Sequence, residues 1–372
     1  MNLSQLKIWA CAASLLATGA FSAHAQKGHS GNQGQISVVA STVPANGDVN
    51  PYGVARIPRS SGSLVEGNIL VSNFNNSANL QGTGTTIVQI APDGTTSLFA
   101  QIDATTLPGP CPGGVGLTTA LVVLRSGWVV VGSLPTTDGT AATAQAGCLL
   151  VIDNHGNVVE TFNGSLINGP WDMTAWDAGN FAELFVTNVL HGTVAVGGTV
   201  VQQGTVTRLA LSITSGSPPS LQSITVIGSG FSERTDPAAL VIGPTGLGLD
   251  ADADTLYVAD SLNNRIAAIR HPVFRDRSAG TGATVSQGGS LNDPLGLTIA
   301  PSGNILTVNG DDGFLVETTP QGHQINRTLL DNTGNPPGSG ALFGLIYVRG
   351  SGVYFVDDVS NTLNLFTRGH EE

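Results

Sequence analysis

Charged side chains are scarce in this 372-residue chain. They make up 11% of it, and only two of them, Lys7 and Lys27, are lysines. Acidic residues outnumber basic ones by 26 to 14, so the formal net charge is −12. A protein that follows the phosphates of nucleic acid needs lysines and arginines concentrated on one surface. The composition therefore excludes nucleic-acid binding as the default function.

Helical periodicity and long apolar runs are also missing after the first 25 residues, so no membrane span is predicted there. Within those 25 residues, Lys7 precedes an apolar run, 8–21, and Ala23-His24-Ala25 has the small-x-small pattern of a cleavage site. We interpret 1–25 as a signal peptide and 26–34 as a linker. Without Lys7, the mature chain has 13 basic and 26 acidic residues. We expect it to be periplasmic or secreted.

Glycine and proline, in contrast, are plentiful, at 49 and 19 residues. They mark six repeat units. Each unit has a turn and a glycine followed by two apolar runs, and in most units the second run ends in Asn or Asp. The units open at Pro51-Tyr52-Gly53, Gly114-Val115-Gly116, Pro170-Trp171-Asp172, Pro244-Thr245-Gly246, Pro294-Leu295-Gly296 and Leu342-Phe343-Gly344. Further short β-rich runs joined by tight turns give about four strands per unit. This pattern predicts an all-β fold, a six-bladed β-propeller with four-stranded antiparallel blades.

The fourth unit carries the most specific motif. Its Pro-x-Gly-Leu opening and the run Leu-Tyr-Val-Ala-Asp-Ser-Leu-Asn-Asn-Arg-Ile at 256–266 resemble an NHL repeat, of the type found in secreted bacterial propellers. The resemblance implies a six-bladed propeller over 35–368, followed by a tail, 369–372. It does not imply one activity, because such propellers include binding platforms, lyases and lactone hydrolases.

The ring requires a closing strand. The sixth unit ends one strand short at Thr362 to Thr367, and the first β run, Ile36 to Ala40, has no unit of its own. Pairing these two runs removes two exposed sheet edges, so we predict that the N-terminal strand completes the last blade.

The loop-rich face of the disc is the predicted functional face. Because strands in a blade alternate in direction, the loops that enter each blade and those between second and third strands share one face. The inserted loops 134–147 and 190–204 fall there. Three aromatic residues, Tyr52, Trp171 and Phe343, take the second position of the Pro-x-Gly openings beside the channel. They are predicted to bind a ligand or, alternatively, to plug the channel.

Asp172 replaces the glycine of the opening motif in the third unit. A lone channel carboxylate is a candidate general base or metal ligand, and a structural hydrogen bond to backbone amides is the alternative. Asn73 and Asn188 end second strands and are candidate ligand-binding residues, with turn formation as the alternative. With Asp172 they imitate the carboxylate and asparagines that hold a divalent metal in gluconolactonase-like propellers. We expect no cofactor, with Ca²⁺ as the one candidate ion.

The histidines argue against zinc chemistry. His191 alone maps to the loop-rich face and is a candidate ligand-binding residue, whereas a catalytic zinc site needs about three protein ligands. We expect no counterpart of the histidine and glutamate pair of virginiamycin B lyase, because no histidine stands next in the sequence to Glu66, Glu160, Glu183, Glu233 or Glu317.

A disulfide between Cys111 and Cys148 is predicted. Cys111 lies in the loop that enters the second blade, and Cys148 opens the third strand of that blade. Both positions fall on the same face of one blade, and disulfides persist in exported proteins.

These observations lead to two functional hypotheses. The first is an exported binding or scaffold module, a monomer that recognises a protein, peptide or glycan on the loop-rich face. The alternative is a metal-dependent hydrolase or lyase with an active site in the central channel and Asp172 as its catalytic residue.

Overall fold

The structure, a computed structural model, describes residues 34–368. The predicted signal peptide, nearly all of the linker and the C-terminal tail lie outside these residues. Twenty-five short β-strands and three single-turn 3₁₀ helices account for the regular structure. Between residues 34 and 368, no helix has the length and apolar character needed to cross a membrane.

The strands form six antiparallel sheets, the blades of a propeller. The first strand in the chain, β1 (Gln35–Ser41), belongs to the last blade. Blade 1 consists of β2 (Val49–Arg56), β3 (Ile69–Asn75), β4 (Thr86–Ile90) and β5 (Thr96–Gln101), and blade 2 of β6 (Leu117–Val123), β7 (Val129–Ser133), β8 (Leu149–Ile152) and β9 (Val158–Phe162). Blade 3 consists of β10 (Pro170–Asp177), β11 (Phe181–Asn188), β12 (Val201–Ser212), β13 (Ser220–Asp236) and β14 (Leu240–Ile242).

The second half of the chain is more compact. Blade 4 consists of β15 (Pro244–Asp250), β16 (Thr255–Asp260), β17 (Arg265–Arg270) and β18 (Ala283–Gln287), and blade 5 of β19 (Pro294–Ile299), β20 (Ile305–Asn309), β21 (Phe314–Thr318) and β22 (Gln324–Leu329). Blade 6 consists of β23 (Leu342–Val348), β24 (Gly352–Asp357), β25 (Thr362–Thr367) and β1. The first strand of each blade contacts the first strands of both neighbouring blades, so the six close a ring around a central channel. The predicted fold class is confirmed.

Blade 3 differs from the predicted four strands. Its β13 is 17 residues long, and after a turn the short β14 pairs with its end, Thr235 opposite Val241. This extension projects from the loop-rich face and forms part of the wall around the mouth of the channel.

The predicted ring closure is confirmed. Strand β1 pairs antiparallel with β25, with Ile36 opposite Phe366 and Ser41 opposite Thr362. Both ends of the described chain therefore lie in one blade. The edges that β1 and β25 would otherwise expose are paired with each other.

Glycine in the opening motif is explained by the contact between neighbouring inner strands. A Cβ at Gly344 would overlap the carbonyl oxygen of Tyr52, and a Cβ at Gly296 would overlap that of Phe343. The inner strands approach this closely because the glycines carry no side chain. In blade 3, Asp172 takes the place of the glycine, and its carboxylate instead accepts a hydrogen bond from the backbone of blade 4, at Leu247 N (2.7 Å).

Apolar side chains fill the spaces between blades, because both faces of each blade are covered. Between blades 1 and 2, for example, Leu70 and Ile87 pack with Leu117 and Leu150 in one buried cluster. The predicted disulfide joins Cys111 and Cys148, whose Cα atoms are 5.1 Å apart. It ties the loop that enters blade 2 to the end of the inserted loop.

Candidate functional site

An aromatic plug closes the middle of the channel. Tyr52 stacks on Phe343 and on Phe74, with ring centroids 4.0 and 4.5 Å apart, and Trp171 meets Tyr52 edge to face at 5.8 Å. Tyr52 and Trp171 are 1% and 2% exposed, and Phe343 is 8% exposed. The plug, formed by these four residues, leaves a cavity on each side of it: an upper cavity on the loop-rich face and a lower cavity on the opposite face. Leu295 and Phe343 line both.

The upper cavity has a volume of about 460 Å³ and is built from loops of blades 1, 3, 4, 5 and 6 above the plug. Four carboxylates line it, from Asp236, Asp293, Asp311 and Asp358, and Arg234 is the one basic residue in its lining. Arg234 Nη1 lies 2.5 Å from Asp236 Oδ2, so its charge is already paired. No other basic residue lines the cavity, although the charge of Arg234 also lowers the pKa of Asp293 and of Asp311.

Asp293 is the most perturbed acid of this group. Burial is the main cause that raises its pKa to about 7, and the negative charge of Asp311 raises it further. The pKa of Asp311 is raised by burial and by its acidic neighbours Asp312 and Asp236. Acids that destabilise one another's charged forms attract a cation, because a cation relieves both effects.

Asp358 lies at the opposite wall of the upper cavity, and burial followed by the charge of Asp357 raises its pKa to about 7. With its nitrogen turned toward Asp358, the Asn50 amide donates to Asp358 Oδ1 at 2.6 Å and accepts from Asn75 Nδ2 at 3.0 Å. Burial, and then the charge of Asp358, raises the pKa of Tyr52 well above its ordinary value, so the phenol stays neutral.

The lower cavity has a volume of about 280 Å³. Its walls combine aliphatic side chains with four threonines, Thr119, Thr174, Thr245 and Thr298. Asp172 lies at its inner end, directly after the plug residue Trp171 in the chain. Burial raises the pKa of Asp172 to about 7, against the hydrogen bond from Leu247 N. The rim, on the opposite face, carries Arg56, Arg125 and Asp177.

The predicted site residues are divided between these places. Tyr52, Trp171 and Phe343 form the floor of the upper cavity, packed against one another as a plug. Asp172 lies on the other side of that plug, because β10 runs from the loop-rich face toward the opposite face and passes the plug at Trp171. The structure therefore brings Asp172 into one cavity with Phe343 but not with Tyr52 or Trp171.

Asn73 and Asn188 line neither cavity and are fully buried. Asn73 Nδ2 donates to the carbonyl of Thr42 at 3.0 Å, and Asn188 Oδ1 accepts from Asn168 N at 2.9 Å. Both side chains therefore hold loops that lie 31 and 20 residues earlier in the chain, and these bonds differ from the turn alternative, in which each side chain bonds the backbone N–H groups that follow it. Within residues 34–368, no three His, Cys, Asp or Glu side chains are grouped so as to hold a metal ion.

Glu233 has no histidine beside it in the sequence, but the fold places His191 next to it. Glu233 Oε1 accepts a hydrogen bond from the backbone of His191 at 3.0 Å and lies 3.7 Å from His191 Nδ1. The two residues are 42 positions apart, and they meet because the long β13 returns alongside the loop after β11. Burial raises the pKa of Glu233 above its ordinary value, and this effect exceeds the opposing effect of His191, which lowers the pKa. Neither residue lines the upper or the lower cavity.

Sequence reasoning missed Asp236, Asp293 and Asp311 of the upper cavity, whereas Asp358 is one of the Asn and Asp residues at the ends of the second apolar runs. A signal was present for two of them: Asp293 directly precedes the Pro-x-Gly opening of blade 5, and Asp311 follows the end of β20 by two residues. Both positions are on the loop-rich face by the alternation of strands. Arg234 and Asp236 had no such signal, because they belong to the extension of β13 that the repeat pattern does not contain.

No protein-family model matches the chain, and no curated protein matches it. Solved structures do. A gluconolactonase from Xanthomonas campestris is 12% identical (TM-score 0.51), with 90% of each chain covered. Virginiamycin B lyase from Staphylococcus aureus, as an inactive variant with quinupristin, is 15% identical (TM-score 0.51), with 90% of this chain and 99% of that chain covered.

A calcium-binding regucalcin from Agrobacterium tumefaciens is 13% identical (TM-score 0.56), with 89% of this chain and 95% of that chain covered. At 12 to 15% identity these similarities concern the fold, since one propeller architecture carries different activities. The chain shares the six-bladed β-propeller fold with these proteins.

Proposed function

We propose that the protein is an exported binding module of the NHL-propeller type, which recognises a protein or peptide through a positively charged side chain held in the upper cavity. The observation that carries the proposal is the excess of acid over base in that cavity: four carboxylates face one arginine, and that arginine is paired with Asp236. A lysine or arginine side chain supplies the missing positive charge.

The shape of the upper cavity favours the binding of a single side chain over that of a polypeptide that passes through the channel. The plug closes the floor with rigid stacked rings, so a ligand enters from the loop-rich face and stops there. A volume of about 460 Å³ is within the range of small-ligand sites, roughly 300–1,000 Å³. It therefore suits one or two residues of a partner, with the remaining contact made by the surrounding loops.

Export is part of the same proposal. The signal-peptide pattern at 1–25 and the Cys111–Cys148 disulfide both suit an oxidising compartment. A net charge of −12 also favours encounter with basic partners at low ionic strength.

The test uses the mature chain, 26–372, and two peptides, acetyl-Gly-Gly-Lys-Gly-Gly-amide and the same peptide acetylated on the lysine amine. Calorimetry or NMR titration measures both affinities. We expect the lysine peptide to bind, more weakly as salt rises, and the acetylated peptide to bind at least about tenfold more weakly, because a charge-assisted hydrogen bond is lost.

Two variants locate the binding site. Asp293→Asn combined with Asp311→Asn should weaken the lysine peptide about tenfold or more. Asp252→Asn is the matched control, since Asp252 is exposed on a turn of the opposite face. Equal affinity for both peptides, or no effect of the Asp293 and Asp311 changes, would contradict the proposal.

The second candidate function is a metal-dependent hydrolase in the same cavity. It is favoured by Asp293, whose pKa near 7 suits proton transfer, and by the fold shared with gluconolactonases. Here Ca²⁺ is the candidate ion. A lactone and ester hydrolysis screen with and without Ca²⁺ tests it: turnover that depends on the metal and is lost in Asp293→Asn would replace the binding proposal.

A further inference from the structure

We propose that the lower cavity is a separate ligand site, which takes a small amphipathic carboxylate with its apolar body between the inner strands and its carboxylate at the rim arginines. This site opens on the face opposite the long loops, and it does not depend on the function proposed for the upper cavity.

The aliphatic side chains in the wall of the lower cavity can pack against an apolar body. Val54, Leu121, Leu247, Leu297 and Leu345 line it, one from each of five inner strands. Its volume of about 280 Å³ is nearly twice the roughly 150 Å³ of an apolar cavity that accepts benzene, and close to the small end of ligand sites. A slender chain or a single ring with a short substituent has the matching size.

The rim indicates a negative group on the ligand. Arg56 is half-buried and Arg125 is exposed, and both line the cavity. Among residues 34–368, neither guanidinium forms an ion pair. Asp177 also lines the cavity, and its carboxylate accepts hydrogen bonds from Arg125 N (2.6 Å) and Gly179 N (2.7 Å) instead of pairing with a guanidinium.

A half-buried guanidinium with no ion-pair partner at a cavity mouth favours a carboxylate, because the pair forms charge-assisted hydrogen bonds there. The two rim arginines thus fix the orientation of the ligand. Its charged end stays at the surface, and its apolar end points toward the plug.

The inner end of the cavity is compatible with this orientation. Asp172 Oδ2 accepts the hydrogen bond from Leu247 N, so this oxygen already has a hydrogen-bond partner. Burial raises the pKa of Asp172 to about 7, and below that pH the carboxyl group is mostly neutral and does not repel an anion. The plug separates this end from the acids of the upper cavity.

The experiment titrates the mature chain at pH 6 with octanoate, hexanoate and octylammonium as probes, followed by calorimetry or NMR. We expect saturable binding of octanoate. Hexanoate should bind about tenfold more weakly, because each methylene moved from water into the cavity strengthens binding about fourfold. Octylammonium has the same apolar body with the opposite charge and should bind at least about tenfold more weakly than octanoate.

The variants separate the two cavities. Arg56→Gln with Arg125→Gln should weaken octanoate about tenfold or more, whereas Arg277→Gln, an exposed arginine of blade 4 outside the cavity, should not. Asp293→Asn in the upper cavity should leave octanoate affinity unchanged. No saturable octanoate binding, equal binding of octylammonium, or full affinity in the double arginine variant would each overturn the proposal, whatever the lysine peptide does.

Discussion

Asp172→Asn should stabilise the protein at alkaline pH but not at acid pH. In the folded chain burial raises the pKa of Asp172 from 3.8 to about 7. Between these two values the folded state holds a proton that the unfolded state has released. The free energy of unfolding therefore falls as pH rises from about 4 to about 7, and it stays at the lower value above that range.

The magnitude follows from the pKa difference. A change from 3.8 to about 7 corresponds to about 4 kcal/mol if the whole perturbation is realised. Asp172 lines a cavity and is only half-buried, so solvent screens part of this effect, and we expect about 1–2 kcal/mol. Asparagine removes the charge and keeps an oxygen that accepts from Leu247 N, so the interblade hydrogen bond remains.

The assay is urea unfolding of the mature chain and the variant at pH 4 and pH 8. The variant should gain about 1–2 kcal/mol relative to the parent protein at pH 8 and almost nothing at pH 4. Asp252→Asn, on an exposed turn, is the matched control and should change stability equally little at both pH values. An Asp172→Asn effect that is the same at pH 4 and pH 8 would refute the reasoning that burial perturbs this carboxyl group.

Three further predictions concern the ring. Deleting 26–41 removes β1 and leaves β25 as an edge, so cooperative stability should fall, and an unchanged melting transition would contradict the closure. The unfolded, unreduced mature protein should show no free thiol in a thiol titration, and two free thiols would disprove the bond. The disulfide spans 37 residues, so the chain-entropy relation predicts that reduction lowers the free energy of unfolding by about 4 kcal/mol. Gly344→Ala places a Cβ on the carbonyl oxygen of Tyr52 and should destabilise the fold by about 1–3 kcal/mol in urea unfolding, and unchanged stability would contradict the close approach of the two inner strands.

The sequence predicts the ring well because the ring depends on regular features. The six opening motifs repeat along the chain, and the pairing of β1 with β25 follows from two strands that each lack a partner. The disulfide follows in the same way, from the face on which each loop of blade 2 lies.

The site is less predictable because it depends on contacts that no periodic pattern encodes. Trp171 and Asp172 are neighbours in the chain, yet the plug places them at different cavities. His191 and Glu233 are 42 residues apart and adjoin only because β13 is unusually long. The acids of the upper cavity come from loops whose positions are set by the blades beneath them.

The pairing of β1 with β25 also sets an order of events in folding. Blade 6 obtains its outer strand from the first described segment of the chain and its other three strands from the last, so it is completed only when Thr362–Thr367 is available. Until then, Gln35–Ser41 has no partner within its own blade, and the ring has one gap. The five preceding blades each consist of consecutive strands and need no distant segment. The pairing of β1 with β25 thus closes the ring, and it joins sheets that can form locally into one cooperative unit.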